Sequence, residues 1–152
     1  MSFDTDAFHA YLALLEARGF RPATVPAIPG TKQAAVKWKE HAAGTHGPHF
    51  RHTEGRLLLT GARSSGICIV DIDLKAGGLE NFERYEEERG RAERVLTVRS
   101  PTGGLHLYFR PPYPWRTVTD RPVPGVDLRG EGGVVMTPGS QHPRGGHYRI
   151  EI

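Results

Sequence analysis

Apolar residues at helical spacing open the chain. Phe8, Tyr11, Leu12 and Leu15 follow an acidic first turn and Gly19 supplies a stop, so Asp4 to Arg18 is predicted as an amphipathic helix. Prolines at 22, 26 and 29 predict an extended entry and a loop from Phe20 to Thr31, and KQAAVKWKEHA a short helix around Trp38. Residues 44–55, GTHGPHFRHTEG, read as surface loop. The pattern then shifts to continuous apolar runs and to a period of two. RLLLTG and GICIVDID are predicted as strands parted by ARSS, and GGLENFERYEEERGR as a helix carrying Leu79, Phe82 and Tyr85 on one side. VLTVRS and GLHLYFR form a strand pair around the turn PTG. After a proline-rich stretch, 111–124, come VPGVDLRG, GGVVMTPGS and a terminal strand in GHYRIEI. Strands dominate, with helices at the start and in the middle, so the predicted class is α+β.

Three polar positions interrupt these apolar runs. In SGICIVDIDLKAGG a strand places Ile67, Ile69, Asp71 and Asp73 on one face and Cys68, Val70, Ile72 and Leu74 on the other. The two carboxylates then originate roughly 6.5–7 Å apart, near enough to converge on the same cations. Buried carboxylates need hydrogen-bond donors, a basic partner or a metal. His106 in TGGLHLYF and Asp127 in GVDLRG are the other two interruptions. Alone, the aspartate pair reads as an Asx turn ending a strand, and the histidine as a satisfied core residue. Together, each beside glycines that let backbone approach a ligand, they read as a site. Three aspartates without companion cysteines favour Mg²⁺ or Mn²⁺ over structural zinc, and such ions leave positions open for substrate phosphates. Ser100, Thr102, Gly103 and Gly104 offer hydroxyl and backbone donors, Arg129 shares its strand face with Asp127, and PGSQHPRGG supplies Ser140, His142 and Arg144.

Composition narrows the setting. A chain of 152 residues with 38% hydrophobic content suits one domain, 1–152, which can also stand as the N-terminal part of a longer protein. The net charge is +3 and no lysine follows Lys75, so the basic residues from Arg84 to Arg149 are all arginine, the side chain suited to bidentate phosphate contact. The single Cys68 excludes an intrachain disulfide framework and a cysteine zinc site. The N-terminus lacks a leader pattern and no apolar run reaches spanning length, so a soluble, cytoplasmic protein without a membrane partner is expected. His46, His49 and His52 recur every third residue, yet the glycine and proline among them favour a solvated loop over a metal site, as for His41. Trp38 is expected as an interior anchor, Trp115 either as an anchor or as a base-stacking surface, and Glu86 to Glu88 as a solvated helix face.

The order TG..SGI.IVDIDLK.GG, T.RSPTGGLHLYF and GVDLRGEGGVV..PGS.H..G..Y, spanning Lys32 to Tyr148, resembles the catalytic domain of the bifunctional primase-polymerases of the archaeo-eukaryotic primase superfamily, the type found in plasmids, phages and mobile elements. The resemblance implies a modified RNA-recognition-like antiparallel sheet with a smaller α/β lobe and a metal site in the cleft between. It implies that Asp71, Asp73 and Asp127 bind two Mg²⁺ or Mn²⁺ ions, that His106 contacts nucleotide phosphates, and that Arg129, Ser140 and His142 contact the triphosphate. Lys32 falls where the family carries GK.P, with Ala34 in the proline's place, and Gly104 stands where a serine is frequent two residues before the histidine. The implied activity is template-directed primer synthesis or extension on single-stranded DNA from dNTPs or NTPs, with primer, template and a following C-terminal helical or helicase region as partners. A manganese-dependent DxD nucleotide-sugar transferase and a non-catalytic RNA-recognition-like module are the alternatives from other classes.

Overall fold

A computed structural model describes residues 3–39, 41–47 and 55–151. The first helix, α1 (Thr5–Ala17), starts where the Asp4 carboxylate accepts the Ala7 N–H at 3.0 Å, and it buries Phe8, Tyr11, Leu12 and Leu15 as predicted. Eight strands follow with one more helix: β1 (Thr24–Pro26), β2 (Arg56–Leu59), β3 (Cys68–Ile72), α2 (Gly78–Arg89), β4 (Leu96–Arg99), β5 (Leu105–Phe109), β6 (Val126–Arg129), β7 (Val134–Met136) and β8 (Arg149–Glu151). They form two antiparallel sheets, one ordered β1-β2-β7 and one ordered β6-β3-β5-β4-β8. The α+β class is as expected.

The larger sheet is the middle layer. On one face Val70, Ile72, Leu107, Phe109 and Val126 pack against Phe82 of α2, with Leu79 and Tyr85 partly buried beside them. On the other face Ile67, Ile69, Leu96, Val98 and Tyr108 join α1 and the smaller sheet in a second core that includes Val25, Leu57, Leu58, Leu59 and Val135. Full burial of each such side chain contributes about 1.5–3 kcal/mol. The alternation along GICIVDID therefore sorts one strand between two cores. A buried pair of hydroxyls, Tyr11 to Tyr108 at 2.8 Å, ties α1 to β5.

Close backbone contact fixes the end of β3. A Cβ on Gly78 would lie 2.1 Å from the Gly125 carbonyl oxygen, which itself accepts the Asp73 N–H at 2.9 Å. The start of α2, the residue after β3 and the entry to β6 thus meet at one point.

Two sequence expectations are corrected. The segment around Trp38 forms no helix: Pro29 and Gly30 turn the chain, the Ala35 N–H donates to Pro26 O at 2.9 Å and Ala34 bridges Ala27, so it lies back along the chain leaving β1. That pairing satisfies backbone groups that a short, lysine-rich helix would leave open at both ends. Trp38 is nonetheless partly buried against the core. Glu86 is not simply solvated, because Arg94 pairs with both of its carboxylate oxygens at 2.6 Å in a largely buried bridge, while Glu87 and Glu88 are exposed. Trp115 is partly buried on the α2 side of the larger sheet, 5.9 Å from Phe109, as an anchor. His41 contacts Thr45 and His46 contacts Thr24, whereas His49 and His52 lie outside the described residues. Among the described residues no helix is long and apolar enough to cross a membrane.

Candidate active site

Strand register builds the site. Asp71 on β3 is paired with His106 on β5 and with Asp127 on β6, so the three lie in one row across neighbouring strands. Partners in an antiparallel pair project to the same face, here the face away from α2. Two carboxylates directly opposite would repel. The offset comes from the next same-face position of β6: Arg129 Nη2 lies 3.3 Å from Asp71 Oδ2 and 3.2 Å from Asp127 Oδ2. Asp127 Oδ1 also accepts the Asp120 N–H at 3.0 Å.

His106 is buried, with Nε2 3.5 Å from Asp71 Oδ1 and Nδ1 without a hydrogen-bond partner among the described atoms. Burial pushes its pKa below the ordinary value, Asp71 opposes that shift, and Lys32 and Arg129 reinforce it. The imidazole is therefore held neutral near pH 7, as a donor or acceptor rather than as a fixed charge.

The row faces a cleft of about 600 Å³ between the two sheets. The larger sheet contributes Asp71, Asp127, Arg129 and His106, and the β4–β5 turn contributes Ser100, Thr102 and Gly104. Lys32 comes from the segment after β1, and Leu57 with Val134, Val135 and Met136 forms an apolar wall. The turn is preorganised: the Ser100 N–H donates to Gly104 O at 2.9 Å and the Ser100 and Thr102 hydroxyls lie 2.8 Å apart. A Cβ at Gly104 would stand 2.9 Å from the Ile72 carbonyl oxygen, which explains glycine there.

Residues 8–151 match the family described as Bifunctional DNA primase/polymerase, N-terminal (Prim-Pol). The chain belongs to this family. Among curated proteins no match was found.

In this Prim-Pol chain Asp73 departs from the predicted strand geometry. β3 ends at Ile72, and Asp73 lies beyond it, exposed, its Oδ1 accepting the Lys75 N–H at 2.9 Å in an Asx turn. It lines the cleft, but from the rim rather than from the pleat shared with Asp71. The second carboxylate of the motif thus forms an Asx turn at the strand end. Among the described residues no group of three or more His, Cys, Asp or Glu side chains is gathered closely enough to hold a metal ion. What does converge is one oxygen each from Asp71 and Asp127 on a single guanidinium nitrogen. An all-oxygen pair of that kind fits Mg²⁺ or Mn²⁺, hard cations that bind through one or two carboxylates and complete their shell with water and phosphate.

The remaining predicted residues separate. His142 lines the cleft, and its Nδ1 accepts the Arg144 N–H at 3.0 Å, which leaves the proton of the neutral ring on Nε2. Burial lowers its pKa, with Lys32, Arg144 and Lys75 adding to the effect. Those same cations line the cleft and give it positive charge. Ser140 is the correction: fully buried and off the cleft, its hydroxyl accepts the Arg56 N–H at 2.9 Å and contacts Thr137 at 3.0 Å. It secures the start of β2, whose buried Arg56 donates to Thr24 O and Gly47 O and is lowered by desolvation to about 10.

Sequence pattern alone assigns Tyr148 no role. Its ring lies 5.8 Å from that of His106 at 25° and 5.7 Å from that of His142 at 37°, between the two histidines. The signal was present, since this tyrosine closes the third motif, but a lone aromatic in a strand reads first as core. Lys75 and the apolar wall escaped for a similar reason: nothing in a single sequence distinguishes a cleft wall from an interior.

Proposed function

We propose that this Prim-Pol domain is a template-directed nucleotidyltransferase that makes or extends primers on single-stranded DNA from nucleoside triphosphates. The observation that carries the reading is the row Asp127–Asp71–His106, facing a cleft that Lys32, Lys75 and Arg144 also line. Carboxylates and phosphate-binding cations lining one cleft suit a metal-chelated triphosphate. Asp71 and Asp127 would hold Mg²⁺ or Mn²⁺, joined by Asp73 from the rim. Bound there, such an ion would supply positive charge toward a primer 3′-hydroxyl and the departing pyrophosphate. His106 and His142 donate to phosphate oxygens, Thr102 and the glycine turn present hydroxyl and backbone donors, and Lys32, Arg129 and Arg144 neutralise charge on the leaving group.

Support for an RNA-recognition-like sheet comes from strand order. The run β3-α2-β4-β5-β6 pairs as β6-β3-β5-β4, the split arrangement of such domains, with the proline-rich segment 111–124 in place of a second helix and β8 added at the edge.

The test is primer extension on a single-stranded template with dNTPs and Mn²⁺ or Mg²⁺, comparing the intact domain with Asp71→Asn. Loss of at least about a thousandfold, on the scale of removing an electrostatic stabiliser of the transition state, is expected with the melting temperature preserved. Full extension by the variant overturns the assignment. A second reading, a non-catalytic binding module, is favoured by one observation: Arg129 already pairs with both carboxylates. Failure of the intact domain to incorporate any nucleotide selects it.

A further inference from the structure

Arg129 stands where a cation would. Its Nη2 shares one positive charge between Asp71 and Asp127, at 3.3 and 3.2 Å. The guanidinium is incompletely satisfied in that pose, because Nε is buried and has no hydrogen-bond partner among the described atoms. Nor is it locked in place, since the side chain is 30% exposed and lines the cleft. A guanidinium matches phosphate oxygens at least as well as carboxylates, through paired N–H donors.

The geometry points to Arg129 as an exchangeable counter-ion that couples metal binding to triphosphate binding, an inference that rests on the nucleotidyltransferase reading above. A divalent ion that takes Asp71 and Asp127 without nucleotide must displace the guanidinium. Arg129 then loses both charged partners and lies close to a doubly charged cation, an arrangement opposed by Coulomb repulsion. When a triphosphate is present, the displaced guanidinium moves to its oxygens, which also offer Nε an acceptor. Metal and triphosphate therefore bind cooperatively, and each raises the affinity of the other by the same factor. In the absence of nucleotide the arginine offsets half of the pair's charge and stands between the two aspartates where a free metal would bind.

Direct ligation of the metal by phosphate also produces cooperativity, so cooperativity alone is not diagnostic. The signature specific to Arg129 is a gain in metal-alone affinity when its charge is removed. Free Mn²⁺ is measured by electron paramagnetic resonance in titrations of the intact chain, Arg129→Gln, Arg129→Met and Asp71→Asn. Each is titrated with and without an α,β-imido deoxynucleoside triphosphate, and circular dichroism melts confirm folding. Arg129→Gln is expected to bind Mn²⁺ alone roughly tenfold more tightly, as removal of a nearby like charge requires. The analogue should then raise that affinity by a smaller factor than in the intact chain. Arg129→Met, which keeps part of the apolar stem, must show the same gain. If Asp71→Asn abolishes Mn²⁺ binding while both Arg129 variants bind it no better than the intact chain, the counter-ion role is wrong and the metal site stands. If Asp71→Asn binds like the intact chain, or the intact chain binds no Mn²⁺ even with the analogue, the nucleotidyltransferase reading fails and takes this inference with it.

Discussion

Tyr148 lies over His106 with ring centroids 5.8 Å apart and planes 25° from parallel, and its ring also contacts His142 at 5.7 Å. One aromatic side chain thus spaces two histidines that come from different motifs, one on β5 and one on the loop after β7. Each such aromatic contact is worth about 0.5–1.5 kcal/mol beyond burial, so loss of both should loosen the histidines by a total of roughly tenfold in affinity terms. Tyr148→Leu is expected to weaken binding of a dNTP analogue in the presence of Mn²⁺ by about that factor, and Tyr148→Phe to restore it. Calorimetric titration measures both. A phenylalanine variant as weak as the leucine variant would show that the hydroxyl, not the ring, is what the site requires.

Ser140 supplies a control of opposite sign. Its hydroxyl bonds to the backbone of Arg56 at the start of β2 and does not line the cleft. Ser140→Ala should lower stability by about 1–3 kcal/mol, the loss expected when a buried N–H is left without its acceptor. Affinity for the same analogue should stay within error. A variant with an unchanged denaturation midpoint and weakened nucleotide binding would return Ser140 to the triphosphate site.

Much of this architecture was legible in the chain because it depends on local rules. The α1 stripe, the division of GICIVDID between two faces and the β4–β5 turn follow from periodicity and glycine placement. The site was legible where polar residues interrupt apolar strands, at Asp71, His106 and Asp127. Asp73 was misread because period-two geometry was extended one residue past the strand, and the position where pairing with β6 stops depends on Gly125, about fifty residues away in sequence. Ser140 was misread because a motif fixes a residue's place in the chain but not the direction of its hydroxyl. The helix around Trp38 failed for a third reason: pairing near the edge of β1 outweighed weak local propensity.

Gly78 is where the backbone leaves no room for a side chain. Its α-carbon faces the Gly125 carbonyl that accepts the Asp73 N–H, and an added Cβ would sit 2.1 Å from that oxygen. Backbone must move to relieve the clash, so Gly78→Ala should destabilise the domain by about 1–3 kcal/mol despite alanine's better helix propensity. Because the displacement falls between β3 and β6, polymerisation should drop by more than the stability loss accounts for. Measurement at a temperature well below the variant's melting point separates the two. A Gly78→Ala protein as stable as the parent would mean that the contact is readily relaxed.

Acid should destabilise the domain through its buried histidines. Burial depresses His106 and His142, and in both cases neighbouring cations add to the effect. A histidine whose folded pKa lies below the unfolded value of about 6.5 binds fewer protons in the native state than in the unfolded one. The stability gained by keeping it neutral is fully present above pH 6.5, and it is lost as pH falls from there through the lower folded value. The denaturant midpoint should therefore be level from pH 7 to 8 and decline between pH 6.5 and 5, with a shallower decline in His106→Gln, which cannot titrate. His106 is expected to give the larger change of the two, since it is enclosed in the sheet whereas His142 lies on the loop that borders the cleft. A midpoint that falls equally steeply in His106→Gln would assign the acid sensitivity elsewhere, and the neutral imidazole invoked beside Asp71 would lose its support.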